Sequence, residues 1–232
     1  MNRKTLITAH SGADGTPDNS MEFVRYALTR HADVLEVDVR MGKDGLIVSH
    51  DETGEEAAAL KDIFETLAAF KDTRINCDLK EYGLEEDVLA LARACGLPAK
   101  RILYSGSVKP AEQSLVCPWR EVEVFWNVEE CIPDVYALDE SGQGNPLTEK
   151  ETEKLIADCR KYDIRVVNIN EKYVTPKFLS AMKENGLGIS AWTVNEPERI
   201  REFLDLEICN ITTRNFAAAM ALRQAVKAQN MT

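Results

Sequence analysis

The chain alternates segments of strand-like and helix-like hydrophobic periodicity eight times along its 232 residues. The predicted strands cover residues 6–10, 34–40, 74–80, 101–104, 121–127, 165–170, 188–194 and 208–212. The predicted helices cover residues 20–31, 57–70, 84–95, a short stretch ending at 117, 148–162, 176–185, 197–206 and 216–229. Eight strand and helix pairs in a chain of this length are typical of a (β/α)8 TIM barrel. We therefore expect one barrel domain over residues 1–232.

The main alternative is a doubly wound open sheet, whose central strands are buried on both faces and therefore apolar along their length. Six of the eight predicted strands instead place polar residues at their carboxyl ends. A TIM barrel carries its active site at those strand ends, so the pattern favours the barrel. Gly142 and Gly144 are followed by Asn-Pro rather than by a helix-opening glycine, which argues against a dinucleotide-binding fingerprint.

The balance of charges limits the partners that this chain can bind. The 28 Lys and Arg residues are outnumbered by 39 Asp and Glu residues, which gives a formal net charge of −11. Such a surface repels the phosphate backbone of a nucleic acid, so we expect no nucleic-acid partner. The sequence also has no apolar run near the roughly 20 residues that a membrane span needs, so we expect no membrane span.

The spacing of the cysteines indicates the cellular compartment of the protein. All six are scattered along the chain, and none belongs to a Cys-x-x-Cys pair. This spacing favours reduced thiols in the core over a disulfide framework or a zinc site. The apolar stretch behind the basic first residues is too short for the core of a signal peptide. Both observations predict a cytoplasmic protein.

The second predicted strand carries two carboxylates on one face. Side chains alternate along a strand, so Glu36 and Asp38 project together. The opposite face is apolar and consists of Leu35, Val37 and Val39. Residues 42–45 contain the Asp-Gly pair that is typical of a hairpin turn. The returning segment ends in His50, so we expect two carboxylates and an imidazole to meet at this strand end.

Polar residues at or near the ends of several predicted strands would face the same mouth of a barrel. They are His10, Glu36, Asp38, Asp78, Lys80, Asn168, Asn170 and Trp192. Glu123, on the polar face of the fifth strand, is a further candidate pocket residue. Three carboxylates in one cavity raise each other's pKa unless a cation compensates their charge. Oxygen ligands suit a hard cation, so we predict Mg²⁺ or Ca²⁺, with Mn²⁺ as a further candidate.

Two of the three histidines in the chain, His10 and His50, belong to this predicted mouth. An imidazole with a pKa near ~6.5 can serve as acid or base near neutral pH, so both are candidate catalytic residues. His31 lies at a predicted helix end and is interpreted as structural. Because no two histidines have the spacing of zinc ligands, a zinc site is disfavoured.

Several short motifs occur in a fixed order along the chain. They are Ala9-His10 with Pro17-Asp18-Asn19-Ser20 downstream, Leu35-Glu36-Val37-Asp38-Val39, Lys43-Asp44-Gly45, His50-Asp51, Asn76-Cys77-Asp78-Leu79-Lys80 and Ala191-Trp192-Thr193-Val194-Asn195. In this order and spacing, the motifs resemble those of the glycerophosphodiester phosphodiesterase family. The resemblance extends over nearly the whole chain.

This resemblance implies a (β/α)8 barrel that hydrolyses a glycerophosphodiester to an alcohol and glycerol 3-phosphate. Glycerophosphocholine and glycerophosphoethanolamine are examples of such a substrate. The resemblance also implies a divalent cation held by Glu36, Asp38 and Asp78, with His10 and His50 as the acid and base pair. Attack by a substrate hydroxyl to give a cyclic phosphate, as in the related sphingomyelinase D enzymes, is an alternative course.

The chain departs from the family pattern at three places. The family usually has an arginine directly after the first histidine, and this chain has Ser11. We assign Ser11, Lys80 and Trp192 to binding of the substrate or its phosphate. The third predicted metal ligand is the shorter Asp78 rather than glutamate. The family often has a small insertion after the His-Asp pair, whereas the segment after Asp51 is short in this chain, so we expect no sizeable insertion after the second strand.

Other hypotheses stand beside a metal-dependent phosphodiesterase. One is a barrel that binds a metal or phosphate ligand without turnover, suggested by Ser11 in place of the arginine. Another is a phosphodiesterase for a different small phosphodiester. An isomerase or aldolase that uses Lys80 as a base or Schiff-base amine is disfavoured, because neighbouring acids keep an amine protonated. The sequence leaves the oligomeric state open.

Overall fold

A computed structural model describes residues 4–51, 57–137 and 144–229. The strands are β1 (Leu6–Ala9), β2 (Val34–Gly42), β3 (Gly45–Val48), β4 (Ala58–Ala59), β5 (Arg74–Leu79), β6 (Ile102–Gly106), β7 (Glu123–Asn127), β8 (Val166–Asn170), β9 (Gly188–Trp192) and β10 (Asn210–Thr213). The helices are α1 (Met21–Thr29), α2 (Leu60–Ala68), α3 (Glu85–Ala94), α4 (Glu149–Tyr162), α5 (Pro176–Glu184), α6 (Pro197–Asp205) and α7 (Phe216–Gln229).

Eight of these strands form a closed parallel barrel. Neighbours run in the order β1, β10, β9, β8, β7, β6, β5 and β2, and pairing of β1 with β2 closes the ring. The two remaining strands, β3 and β4, extend β2 as an antiparallel ribbon. The predicted TIM barrel is therefore confirmed, and the open-sheet alternative is excluded. No large insertion follows the hairpin, since α2 begins only nine positions after Asp51.

The barrel interior has an apolar floor and a polar upper layer. Val34, Leu103, Phe125 and Val166 are buried together near the amino ends of their strands. Two positions further along the same strands, the inward residues are Glu36, Ser105, Asn127 and Asn168. Because side chains on one face of a strand are two residues apart, both layers face the barrel axis. The carboxyl ends of the strands thus present polar groups above a packed core.

The outward strand residues pack under the helices. On β2 these residues are Leu35, Val37 and Val39, which are fully buried in the main core. Helix ends follow local capping chemistry. The Ser20 hydroxyl accepts a hydrogen bond from Phe23 N at the start of α1, and Thr148 and Glu151 form a capping box at the start of α4. The capping residues predicted from the sequence therefore mark where these two helices begin in the structure.

One predicted helix is absent. The fourth predicted strand was expected to lead into a helical stretch ending at Cys117, but residues 107–122 contain turns and no helix. Pro110 and Pro118 lack a backbone donor, which disfavours a continuous helix between them. The described residues thus contain seven α-helices around eight barrel strands.

Three further expectations from the sequence concern the cysteines, a membrane span and His31. All six cysteines lie in the described part of the chain and form no disulfide there, as expected from their spacing. Among the described helices, none combines the length and the apolar composition needed to cross a lipid bilayer. His31 follows α1 with a positive φ of 56° and is exposed, away from the strand ends.

Candidate active site

A cavity of about 470 Å³ opens at the carboxyl ends of the barrel strands. Eight predicted site residues line it, namely His10, Glu36, Asp38, His50, Asp78, Lys80, Asn168 and Trp192. Eight further residues, which were not predicted as site residues, also line it, namely Asn76, Ser105, Asn127, Glu129, Thr193, Asn195, Thr212 and Arg214. The fold therefore brings together groups from strands at both ends of the chain.

Three carboxylates converge on one side of this cavity. One oxygen from each of Glu36, Asp38 and Asp78 lies within 4.8 Å of the other two. The pairing of β2 with β5 explains this, because Asp38 stands directly beside Asp78 in the register. Three carboxylate oxygens at this spacing are a donor set that fits a hard divalent cation such as Mg²⁺, Ca²⁺ or Mn²⁺.

The protonation of Glu36 reflects its burial. Desolvation raises the pKa of Glu36 to about 7, and the charges of Asp38 and Asp78 add to that rise while His10 opposes it. The backbone N–H of Ser11 donates to Glu36 Oε2 at 3.1 Å and fixes the orientation of the carboxyl group. A cation bound here would replace the missing solvation and favour the ionised carboxylate.

Lys80 offsets the negative charges of Asp38 and Asp78. Its Nζ lies 2.7 Å from Asp38 Oδ1 and 2.6 Å from Asp78 Oδ2. Burial alone would raise the pKa of Asp38, but Lys80 and the side-chain amide of Asn19 outweigh it and hold that pKa below its usual value. Burial would lower the pKa of Lys80, but the two carboxylates raise it instead. Lys80 is therefore a protonated cation, which is unsuited to Schiff-base chemistry.

Ser105 and Asn76 form a chain of hydrogen bonds that ends at the carboxylate of Asp78. The Ser105 hydroxyl donates to Asp78 Oδ1 at 2.5 Å, and Asn76 Nδ2 donates to Ser105 Oγ at 2.8 Å. Asn76 Oδ1 is buried and has no hydrogen-bond partner among the described residues. Asp78 was predicted at the site from the sequence, whereas Ser105 and Asn76 were not.

His10 follows β1 directly and lies beside the acidic cluster. Its Nδ1 is 3.8 Å from Glu36 Oε2 and 2.9 Å from the carbonyl oxygen of Ser11. The Nε of Arg214 lies 3.2 Å from the same Nδ1 atom. The imidazole is thus held by groups from β1, β2 and the end of β10, at the edge of the cavity.

His50 approaches the cavity from the β3 side. Its Nδ1 lies 2.9 Å from Asp51 Oδ1, and Arg40 Nε donates to its backbone carbonyl at 3.1 Å. The side chain is 70% exposed, in contrast to 22% for that of His10. One imidazole is therefore enclosed by protein and the other is open to solvent.

Three of the predicted pocket residues lie elsewhere. Ser11 is buried, and its Oγ accepts a hydrogen bond from Asn19 N at 2.6 Å, so it does not line the cavity. Asn170 turns away to accept from Lys172 N at the start of a 3-10 turn. Glu123 requires a correction, because it starts β7 and pairs with Arg74 at the opposite end of the barrel.

The wall formed by the ends of β7 and β9 combines an acid with aromatic rings. Glu129 accepts a hydrogen bond from Asn127 Nδ2 at 2.8 Å, and burial raises its pKa. The ring of Trp192 packs edge-on against Tyr136, with centroids 5.7 Å apart. Trp192 Nε1 is buried without a partner in the described parts of the chain, so a bound molecule could accept its hydrogen bond.

Comparison with known proteins agrees with this fold. Residues 10–106 match the model of the glycerophosphoryl diester phosphodiesterase family, which confirms the predicted resemblance. A glycerophosphodiester phosphodiesterase from Caldanaerobacter subterraneus subsp. tengcongensis is 22% identical over an alignment that covers 90% of this chain and 94% of the relative. The matched segment includes the three carboxylates and both candidate catalytic histidines.

Two solved structures illustrate the similarity of the fold. The structure of an Oleispira antarctica phosphodiesterase in complex with sn-glycerol-3-phosphate is similar with a TM-score of 0.70 and 16% identity, covering 94% of this chain and 96% of the other. A glycerophosphodiester phosphodiesterase from Thermotoga maritima gives a TM-score of 0.63 and 18% identity, covering 98% and 100%. At these identities, the likeness establishes a shared barrel architecture.

Proposed function

Because residues 10–106 match the model of the glycerophosphoryl diester phosphodiesterase family, a family of phosphoric diester hydrolases, we propose that this chain is a member of that family and cleaves a glycerophosphodiester with the help of a divalent cation. The products would be an alcohol and glycerol 3-phosphate. The single observation that carries the proposal is the convergence of three carboxylates and two histidines on one cavity. We further propose that the whole chain acts as one domain in the cytoplasm, where its six cysteine thiols would stay reduced.

The acidic cluster is the proposed cation site. Glu36, Asp38 and Asp78 would hold Mg²⁺, Ca²⁺ or Mn²⁺ through carboxylate oxygens. When bound, such an ion polarises a phosphoryl oxygen and offsets the negative charge that develops during cleavage. Lys80 already neutralises two of these carboxylates, so it would also keep the cluster from repelling an anionic diester.

His10 and His50 are the proposed acid and base. Both line the cavity, and an imidazole can accept a proton from the attacking hydroxyl or donate one to the departing alkoxide. The contact of His10 Nδ1 with the carbonyl oxygen of Ser11 favours the tautomer that leaves Nε2 free to accept a proton. Asp51 plays the corresponding role for His50, since it lies 2.9 Å from Nδ1 of that ring.

The first test measures release of glycerol 3-phosphate from glycerophosphocholine and glycerophosphoethanolamine in Mg²⁺, Ca²⁺ or Mn²⁺. His10→Ala and His50→Ala should each reduce turnover by about 100-fold or more, the range expected for general acid or base catalysis. His31→Ala is the matched control, because this third histidine lies outside the cavity, and it should keep wild-type activity. Phosphorus NMR of the reaction would distinguish direct hydrolysis from a cyclic phosphate product.

A p-nitrophenyl phosphodiester separates the two histidine roles. Its leaving group departs without protonation, so the variant that lacks the general acid should recover activity on this substrate. The variant that lacks the base should stay impaired on both substrates. Equal impairment of both variants on both substrates would contradict the division of roles.

Binding without turnover is the second candidate function. It is favoured by the absence of an arginine after His10, where this chain has the buried Ser11. If calorimetry finds that the protein binds a divalent cation but a panel of small phosphodiesters is not cleaved, the binding function should replace the enzymatic one. If only another diester in that panel is cleaved, the enzyme class stands and the glycerol moiety is the wrong substrate.

A further inference from the structure

Within the described part of the chain, the cavity is lined by one lysine and one arginine, Lys80 and Arg214. Lys80 is held between Asp38 and Asp78 at 2.7 and 2.6 Å, and its side chain is only 21% exposed. An anion that recruited Lys80 would have to leave one of these carboxylates without its counter-charge. Arg214 is therefore the cationic side chain that remains for an anionic ligand.

The barrel places Arg214 beside His10. Pairing of β1 with β10 sets Ala9 opposite Thr213, so the residues that follow each strand are neighbours. His10 N donates to the Thr213 carbonyl oxygen at 3.0 Å, and Arg214 N donates to Asn195 Oδ1 at 2.9 Å. The backbone of both residues is thus anchored, and the two side chains lie together at the cavity edge.

The present contacts of the Arg214 guanidinium are easily exchanged. Its Nε approaches His10 Nδ1 at 3.2 Å, a hydrogen bond that requires a lone pair on that nitrogen. The contact of the same Nδ1 with the Ser11 carbonyl oxygen at 2.9 Å requires a proton there instead. When Nδ1 carries its proton, Arg214 Nε has no acceptor at His10 and is available to a ligand.

The second contact is a weak ion pair. Arg214 Nη2 lies 3.2 Å from Asp18 Oδ1, and the two side chains are 46% and 55% exposed. Exposed ion pairs of this kind contribute little to stability because water screens both charges. The guanidinium can therefore turn from Asp18 towards the cavity at small cost.

We propose that Arg214 binds the phosphate group of the diester next to His10. This inference rests on the proposed function and adds the residue that recognises the anion. A guanidinium presents two parallel N–H groups that match two phosphate oxygens. The residue after His10 cannot supply such a group, because the buried Ser11 points away from the cavity and accepts a hydrogen bond from Asn19 N. The cation comes instead from the opposite end of the chain.

The test compares Arg214→Gln and Arg214→Lys with the wild type in two measurements. One is the KM and kcat for glycerophosphocholine in saturating Mg²⁺, and the other is the Kd for sn-glycerol 3-phosphate by calorimetry. Loss of a charge-assisted contact should raise KM and Kd by about 10- to 100-fold in Arg214→Gln, with a smaller change in kcat. Arg214→Lys keeps the charge but loses the planar guanidinium group, so its KM and Kd should lie between those of the wild type and those of Arg214→Gln.

Two further variants serve as controls. Arg165→Gln removes an arginine that is 77% exposed and lies before β8, at the other end of the barrel, so KM and Kd should not change. Asp18→Asn removes the competing carboxylate, so KM and Kd should stay the same or fall. A rise in KM in Asp18→Asn would mean that the ion pair with Asp18 holds Arg214 in its binding position. That result would contradict the proposal that the guanidinium leaves Asp18 to bind the ligand.

The outcomes separate this inference from the proposed function. A wild-type protein that cleaves no diester but binds sn-glycerol 3-phosphate more tightly than Arg214→Gln would contradict the proposed function and support the role of Arg214. If the wild type cleaves the diester and Arg214→Gln has the same KM and Kd, the role of Arg214 is overturned and the proposed function stands. Absence of measurable sn-glycerol 3-phosphate binding by the wild type would also overturn it. Thermal unfolding would check that each variant is folded.

Discussion

Asn19 and Asp38 are joined by two hydrogen bonds that run in opposite directions. Asn19 Nδ2 donates to Asp38 Oδ2 at 2.7 Å, and Asp38 N donates to Asn19 Oδ1 at 3.0 Å. Asn19 also has a positive φ of 48°, a conformation that asparagine tolerates better than most residues. This one side chain thus links the loop after β1 to the middle of β2 and fixes the orientation of a candidate metal ligand.

Asn19→Ala should therefore weaken both folding and cation binding. It leaves a buried carboxylate oxygen and a buried backbone N–H without their partners, which should cost about 2–4 kcal/mol of unfolding free energy. Loss of a residue that orients a metal ligand should reduce cation affinity by about 10- to 100-fold. Chemical unfolding and calorimetry with Mg²⁺ measure the two effects.

Asn19→Gly separates the backbone contribution from the hydrogen bonds. Glycine accepts the positive φ without strain but supplies neither hydrogen bond. Its cation affinity should fall as far as that of Asn19→Ala, even if its unfolding free energy falls less. Wild-type affinity in Asn19→Gly would show that the orientation of Asp38 does not depend on this amide.

Lys80→Met should make the stability of the protein depend on a divalent cation. Without Lys80, Asp38 and Asp78 face each other with no counter-charge, and breaking a largely buried ion pair costs about 3–5 kcal/mol. The melting temperature in EDTA should fall sharply, and saturating Mg²⁺ should restore most of the loss. Lys61→Met is the matched control, because it removes only an exposed pair with Glu65 and should leave the unfolding free energy nearly unchanged.

The raised pKa of Glu36 predicts how stability varies with pH in EDTA. The folded state holds a proton on Glu36 up to about pH 7, whereas a carboxyl in the unfolded chain loses it near the ordinary glutamate pKa of 4.5. The unfolded state therefore binds fewer protons in this window, and stability should fall as pH rises from about 4.5 to 7, by up to about 3 kcal/mol. Unfolding by urea between pH 5 and pH 8 measures this slope.

Two comparisons test that assignment. Glu36→Gln cannot lose the proton, so its unfolding free energy should stay more nearly constant over the same range. Mg²⁺ needs the ionised carboxylate, so its affinity for the wild type should rise with pH up to about 7. An unchanged slope in Glu36→Gln would assign the pH dependence to another group.

The sequence predicted the barrel because its signal is repeated along the whole chain. Glu36 and Asp38 could be placed on one face from the alternation of strand side chains alone. Asp78 lies beside Asp38 because of the register of β2 against β5. This register cannot be predicted from the local sequence pattern of either strand. The resemblance to a known family supplied that relationship instead.

Two of the missed site residues, Ser105 and Arg214, were missed because strand ends were placed too early. The fourth predicted strand ended at Tyr104, whereas β6 continues to Gly106 and includes Ser105. The eighth ended at residue 212, whereas β10 continues to Thr213, which places Arg214 directly at the mouth. A shift of one or two residues at a strand end is therefore enough to hide a site residue. Glu129 was missed because it follows β7 in a short 3-10 turn.

Asn76 is expected to contribute an additional oxygen to the acidic cluster. A carboxylate can only accept, so the single proton of Ser105 Oγ points to Asp78, and Ser105 must accept from the amide of Asn76. This fixes the orientation of the amide and leaves Oδ1 without a partner among the residues that the structure describes, in a residue that is only 5% exposed and lines the cavity. Buried polar atoms rarely lack a partner, so a cation or its bound water should supply one.

Asn76→Leu keeps the approximate size of the side chain and removes this oxygen. In EDTA, the substitution should change the unfolding free energy by no more than about 1–2 kcal/mol, because the lost hydrogen bond to Ser105 is partly offset by removal of an unpaired polar atom. In calorimetry, the affinity for Mg²⁺ should fall by about 10- to 100-fold. Asn168→Leu, which removes a different cavity amide that donates to Asn127, should leave Mg²⁺ affinity unchanged. Equal Mg²⁺ affinity in Asn76→Leu and the wild type would rule out a role for Oδ1 at the cation site.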